Sequence, residues 1–419
     1  MKNLRSFACL AATSLCALSP SLYGDTIERS NDNDVDVRAL REWINIKRQV
    51  TVKEIGGNLS ISGEVRTKFK ATGETVDGIS IRGNPSILNE KTKEPFPSRG
   101  FDINARLMMD YRSDATWASI KLEFNDRAGI ISGTTDKIKL SRAYFGARAF
   151  QGDSYYVDFE LGRKKLGNIF DSQLQFDSFF DGALAKYDQS FEQVGDFYVH
   201  LGTFIINDTK DQFGYVGETG LMDIAGSGFY TKISLIDWAT KNMHNDLAQK
   251  RFDFIVSQMI LGYKFYPDFL KKEITFYTAG LYNFKAKRLP ITNNQKANWG
   301  SYVGFSIGEL KRKGDWAIDA NYQWLAAQCV PNFDADGIGI GNSTDTGFYT
   351  ENDDGTGDAN TRGTAGGNVN YRGATVTLNY LITNNINLQQ QWSQSVTLDH
   401  DIGPSKRFKQ YEIEFIYNF

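Results

Sequence analysis

From Asn58 to the last residue, apolar and polar side chains alternate with a period of two, and this pattern restricts the fold more than any other feature of the chain. Successive side chains of a β-strand point to opposite faces, so strict alternation gives each strand one apolar and one polar face. In 58–69, Leu59, Ile61, Val65 and Phe69 alternate with Ser60, Ser62, Glu64, Arg66 and Lys68. In 100–111, Phe101, Ile103, Ala105, Leu107, Met109 and Tyr111 alternate with Asp102, Asn104, Arg106 and Asp110. In 116–125, Ala118, Ile120, Leu122 and Phe124 alternate with Ser119, Lys121, Glu123 and Asn125. Later, Trp316, Ile318, Ala320, Tyr322 and Trp324 alternate with Asp315, Asp319, Asn321 and Gln323.

A soluble sandwich also alternates, with its apolar face inward. Two properties of these runs point instead to a membrane barrel. Each run is about 10–13 residues long, enough for a tilted span and longer than the usual soluble strand of about 5–6. The apolar faces also begin or end in Tyr, Trp or Phe, as expected for aromatic girdles at two membrane interfaces. No segment after the N-terminus approaches 18 consecutive apolar residues, so a transmembrane helix is not expected. A mean hydropathy of −0.40 fits a barrel that presents only every second residue to lipid.

The expectation is an all-β, transmembrane antiparallel barrel of about sixteen strands, within a range of 14–18. The strand runs are 58–69, 100–111, 116–125, 138–149, 154–163, 180–188, 195–206, 212–222, 226–237, 253–265, 273–284, 298–308, 314–325, 370–382, 386–396 and 407–419. Those at 138–149, 180–188 and 212–222 are weakly patterned and set the range. The connections alternate long and short, from 70–99 against 112–115 to 326–369 against 383–385. One pair, 207–211 and 223–225, is short on both sides. Long external loops and short periplasmic turns are the rule for such barrels, whereas a sandwich has no reason to sort its loops.

The N-terminus adds a secretion signal. Lys2 and Arg5 precede an apolar run from Phe7 to Leu18, then Pro20 and small residues to Gly24. That order is a signal peptide over 1–24, too short to span a bilayer, with cleavage expected after Gly24. Its removal takes two positive charges from a net of −3, leaving −5, and leaves Cys329 as the single cysteine. No internal disulfide can then form. Residues 25–57 form an N-terminal periplasmic segment, in which Val37, Leu40 and Ile44 predict a short helix over about 35–48. The barrel occupies 58–419. Its last run places Tyr411, Ile413, Phe415, Tyr417 and Phe419 on one face, which resembles the signal read by the barrel-assembly machinery of Gram-negative outer membranes. The expected surroundings are therefore outer-membrane lipid.

With the apolar set facing lipid, Glu64, Arg66, Lys68, Asp102, Arg106, Lys121 and Glu123 face the lumen. Arg142 and Arg148 join them if 138–149 keeps its parity. Sixteen strands enclose a lumen wide enough for water. The third long connection, 164–179, carries Arg163, Lys164 and Lys165 followed by Asp171, Asp177 and Asp181 among several aromatics. Facing rows of charge are how a pore distinguishes anions from cations, so the basic tripeptide is expected to oppose Asp171 and Asp177 across a constriction. A packed external loop with solvated charges is the alternative.

Three stretches carry a family resemblance: 163–182, Arg38-Ala-Leu-Arg-Glu-Trp43, and Val330-Pro-Asn-Phe-Asp-Ala-Asp-Gly-Ile-Gly-Ile-Gly-Asn342. Together they resemble the outer-membrane porin family of chlamydia-related and other Gram-negative bacteria. The resemblance implies a porin fold over essentially the whole mature chain and an outer-membrane location. A water-filled diffusion channel follows, and a homotrimer by analogy with sixteen-stranded porins. A substrate-selective channel, and a surface adhesin or structural barrel, stand as alternatives.

Other chemistry finds little support. Gly304-Phe305-Ser306-Ile307-Gly308 matches a nucleophile elbow, but that motif needs a strand-to-helix turn and here it lies within an alternating strand. His200, His244 and His400 lack metal-ligand spacing. Loop 326–369 carries Asp334, Asp336, Asp345, Asp353, Asp354 and Asp358, without the ordered spacing of a calcium loop. We therefore expect no enzyme, catalytic residue, metal or cofactor. Dispersed charge gives no footprint for nucleic acid.

Overall fold

The computed structural model describes residues 52–54, 57–88, 93, 95–127, 138–208, 211–239, 253–288, 294–331, 333–338, 369–401 and 405–419. The expected signal peptide, the 35–48 helix and most of the acidic loop lie outside the described residues. Sixteen antiparallel strands form the barrel: β2 (Gly57–Val76), β4 (Arg99–Arg112), β5 (Thr116–Arg127), β6 (Lys139–Gln151), β7 (Tyr155–Lys165), β8 (Phe179–Phe191), β9 (Gly195–Asn207), β10 (Gln212–Met222), β11 (Phe229–Asp237), β12 (Ile255–Phe265), β13 (Ile274–Asn283), β14 (Trp299–Ile307), β15 (Trp316–Leu325), β16 (Tyr371–Thr383), β17 (Ile386–Thr397) and β18 (Lys406–Asn418). Two short additions, β1 (Val52–Glu54) and β3 (Ile79–Ser80), pair with the ends of β2. Neighbouring strands pair in chain order, and β18 closes the barrel on β2 from Lys406↔Val76 to Asn418↔Glu64. Closure leaves no open edge.

The strand ends differ from the alternation by a few residues at most, except that β2 runs on to Val76. Its last outward residues are Ala71, Gly73 and Thr75, so the extension carries no apolar signal. Phe419 finishes the closure: its backbone exchanges two hydrogen bonds with Gly63, at 2.8 and 2.9 Å, and its ring lies over that glycine.

The exposed face of the wall is apolar. Ile61, Val65, Phe101, Ile103, Leu107, Phe145, Phe159, Leu201, Ile233 and Met259 all point outward and are exposed. Towards the short-turn end, Phe229, Tyr263, Phe265, Phe276 and Phe305 form a chain of ring contacts with centroids 4.5 to 6.3 Å apart. Towards the long-loop end stand Tyr282, Phe284, Trp299 and Tyr322. Phe276 and Phe284 are eight residues apart, which at ~3.4 Å per residue and ~40° of tilt separates the two girdles by roughly 20 Å. That spacing and the apolar surface between the girdles are those of a transmembrane barrel.

Candidate functional site

Everything polar that the alternation turns away from lipid converges on the lumen. On β2, β4, β5 and β18, Glu64 is fully buried and accepts from Arg106 at 2.8 Å and from Arg66. Arg66 reaches on to Glu414 at 3.4 Å, and Arg106 also holds Glu123. Lys68 pairs with Glu412 at 3.1 Å and Lys70 with Asp102 at 2.9 Å. Cross-strand register places these groups on one face: Glu64–Arg106 and Arg106–Glu123 are directly opposed, while Arg66–Glu414, Lys68–Glu412 and Lys70–Asp102 reach diagonally to the residue two positions along the neighbouring strand. A polar pocket in this wall is lined by Arg66, Lys68, Gln389, Gln391, Glu412 and Glu414.

The ladder continues on β5–β8. Arg148 grips Asp158 through two hydrogen bonds of 2.9 and 3.2 Å and lies over the Tyr156 ring at 4.4 Å. Glu160 accepts from Lys164, from Lys186 at 3.1 Å and from the Trp117 indole N–H at 3.1 Å. The Lys164 ammonium also sits 3.6 Å from the Tyr144 ring centroid. Lys121 and Arg142 are opposed in register on β5 and β6. Irregular pairing at Lys121/Leu122 and at Arg148/Phe150 interrupts β6, so its parity shifts twice. Those bulges are why 138–149 reads weakly in sequence.

The connection 166–178 lies inside the barrel against the opposite wall. Leu166, Phe170, Leu174 and Phe176 are completely buried, joined by Ile169. They form one apolar cluster with Phe180 and Leu184 of β8, Phe204 of β9, Val256 and Ile260 of β12, Tyr302 of β14, and Trp238. Polar groups of the loop meet inward side chains. Lys232 of β11 donates to Asp171 at 2.8 Å, and Gln258 of β12 donates to the Asp171 carbonyl at 2.6 Å. Ser172 donates to Gln258 at 2.7 Å, while the Asp171 N–H reaches Glu218 of β10 at 3.3 Å.

A second connection, 326–338, clamps the first. Asp334 is fully buried and accepts the N–H groups of Phe176 and Ser178, both at 3.0 Å. The Asp336 N–H donates to the Leu174 carbonyl at 3.0 Å. Phe176 holds a φ of +83°, a strained value for a bulky side chain that these contacts impose. Burial pushes the Asp334 carboxyl up to about 8, against the lowering effect of the N–H groups it accepts.

The basic tripeptide is distributed differently from its expected opposition to Asp171 and Asp177. Lys165 meets Asp177 at 2.6 Å. Lys164 turns into the wall toward Glu160, and Asp171 takes Lys232. Arg163 forms a two-bond pair with Asp181, its directly opposed residue on β8, at 2.6 Å. The cause is the pleat: adjacent residues of a strand point to opposite faces, so three consecutive cations cannot share one. Sequence reasoning passed over Asp158, Glu160, Lys186, Lys232, Glu412 and Glu414, and weighed Asp334 only as one of several acidic loop residues that could meet calcium. The first two and the β18 pair were readable from parity, opposite Phe159 and Leu161 or Tyr411 and Phe415. Nothing in sequence marks Asp334 as a clamp. Gly304 and Ser306 lie within β14, where Gly304 faces the Tyr277 ring of β13.

No family model matches the chain, and no curated sequence matches it. Solved structures with a similar fold include the outer membrane channel DcaP of Acinetobacter baumannii, at 12% identity over 88% of this chain and 99% of that one, with a TM-score of 0.44. OprB of Pseudomonas putida gives 9% identity over 94% and 100%, with a TM-score of 0.48. OmpF of Salmonella typhi gives 10% identity over 88% and 100%, with a TM-score of 0.47.

Proposed function

We propose that the protein is an outer-membrane porin, a water-filled channel through which small hydrophilic solutes and ions diffuse past a constriction built on loop 166–178. The observation that carries this reading is the asymmetry of the lumen: a wall of paired charges on β2, β4–β8 and β18 faces a loop anchored to the other side. Paired charges of both signs hold water in a lumen and leave a channel weakly selective. In this reading Glu64, Arg66, Lys68, Asp102, Arg106, Lys121, Glu123, Arg142 and Arg148 line the passage. Lys164, Lys165, Asp171 and Asp177 belong to the constriction, while the Arg163–Asp181 pair, expected there from sequence, has the outward parity of Leu161 and Ala183 and stands at the entry of the loop. The chain is secreted with loss of residues 1–24, inserted through its last strand by the barrel-assembly machinery, and works as a homotrimer of the family found in chlamydia-related bacteria.

A substrate-selective channel with an aromatic slide is less well supported, because Phe170 and Phe176 are both buried against the wall and offer no ring to a passing solute. The test is reconstitution in planar bilayers. Stepwise conductance with a shallow ion preference is expected, and its absence sinks the proposal. Replacing Arg163, Lys164 and Lys165 with glutamine should move the reversal potential toward cations, chiefly through Lys164 and Lys165. An unmoved potential removes Lys164 and Lys165 from the constriction.

A further inference from the structure

The cations of the barrel fall into two populations. Inside, Arg66, Lys68, Lys70, Arg106, Arg148 and Lys186 each have a carboxylate within 3.4 Å. Outside, four exposed cations have no ion-pair partner among the described residues: Arg372 on β16, Arg407 and Lys409 on β18, and Arg99 on β4. Pairing register puts them together. Arg372, Val396, Arg407 and Thr75 are opposed in one row across β16, β17, β18 and β2. The next outward row, two residues nearer the middle of the wall, is Ala374, Gln394, Lys409 and Gly73. The row after that is Val376, Trp392, Tyr411, Ala71 and Arg99.

Three features define what this patch fits. It begins where the apolar band ends, with Trp392 and Tyr411 directly below it and Trp324 opposed to Arg372. The outward positions of β16, β17, β18, β2 and β4 carry no Asp or Glu, so no outward carboxylate of these five strands neutralises it. A side chain at Gly73 would meet nothing within 4 Å, which leaves open space beside Lys409. Cations held beside aromatic residues at a bilayer interface attract anionic headgroups, at about 1 kcal/mol for each Lys or Arg.

We propose that Arg372, Arg407, Lys409 and Arg99 form a binding site on the lipid-facing wall, at the long-loop end, for the phosphate of an anionic lipid headgroup. The site orders lipid around β16, β18 and β4 and fixes the depth of that side of the barrel. It rests on the barrel's place in a bilayer and not on whether the lumen conducts, so a closed pore leaves it standing.

The test is native mass spectrometry of the detergent-purified full chain, titrated with phosphatidylglycerol and in parallel with phosphatidylcholine of the same acyl chains. Phosphatidylglycerol should bind more tightly. The triple replacement Arg372→Gln, Arg407→Gln and Lys409→Gln should weaken it on the order of a hundred-fold, at about five-fold per cation, with phosphatidylcholine unaffected. Replacing Lys311, Arg312 and Lys313 with glutamine at the opposite end removes the same charge and should leave the affinity near its starting value. Equal loss in both triple variants, or no preference between the lipids, overturns the site. A change in oligomer mass with unchanged lipid binding also overturns it and assigns the patch to contact between copies. On the unmodified chain, rising salt should release phosphatidylglycerol selectively, and a salt-independent preference counts against the proposal.

Discussion

Along β2, β4–β7 and β18 the inner wall is held by ion pairs such as Glu64–Arg106 and Arg148–Asp158, whereas along β8–β15 it is held by Phe180, Phe204, Val256, Tyr302 and the loop packed on them. Both walls alternate, and both turn apolar residues to lipid. They differ in what covers the inner face. Where water covers it, a charge finds its partner on the neighbouring strand. Where loop 166–178 covers it, the same parity positions carry aromatic and aliphatic side chains, and the few polar ones meet groups of the loop. The inner face of a barrel is thus set by its occupant and not by the strand.

The largest effect should come from the packed wall. Phe176→Ala removes a fully buried ring in contact with Phe170, at a centroid distance of 5.6 Å. The loss should be about 3–5 kcal/mol in urea unfolding, with higher and noisier conductance as the loop loosens. If conductance stays unchanged, the loop does not limit flow.

On the charged wall, Glu64→Leu removes the carboxylate that Arg66 and Arg106 share and leaves them Glu414 and Glu123. Breaking a buried pair outright costs about 3 kcal/mol, so with one carboxylate left to each arginine the loss should not exceed that figure, and the channel should shift toward anions. Equal stability would mean that lumen water solvates both arginines.

Asp334→Ala leaves the N–H groups of Phe176 and Ser178 without their acceptor. The cost should be about 1–3 kcal/mol, read as faster hydrogen exchange within 166–178 and little change elsewhere. The same residue gives a pH signature. Its carboxyl is raised from 3.8 to about 8, so between those values the folded chain holds a proton that the unfolded chain has released. Stability should then fall as pH rises through that window, and Asp334→Asn should flatten the slope.

The smallest effect is expected from Asp181→Asn. The Arg163–Asp181 pair is more than a third exposed on both sides, and such pairs contribute about 0–1 kcal/mol. A larger loss would indicate that this pair anchors the entry of the loop.

Much of this architecture was legible in the alternation, and the places where it faded have physical causes. In 180–188 the pattern is weak because Phe180 and Leu184 face inward beneath the loop, where a polar set is expected, while Asp181 stands on the outer face. In 212–222, Val216 faces inward while Gly217 and Thr219 face outward, which blurs both faces of β10. For the constriction, the sequence placed the right residue types on the right connection but paired them by proximity. The pleat divided them: Lys165 went to Asp177, Lys164 to Glu160 and Arg163 to Asp181.

By itself, then, the sequence determined an antiparallel barrel of about sixteen strands, within 14–18, their order, and the facing of those that alternate clearly. A period of two fixes which side each residue takes, and one slip would turn every apolar residue inward. Only the tertiary structure decided which side of the lumen loop 166–178 would occupy and that Asp334, more than 150 residues away, would hold it. Those contacts join segments with no shared period. They exist only once the closed wall brings β7, β10–β12 and the end of β15 around one space.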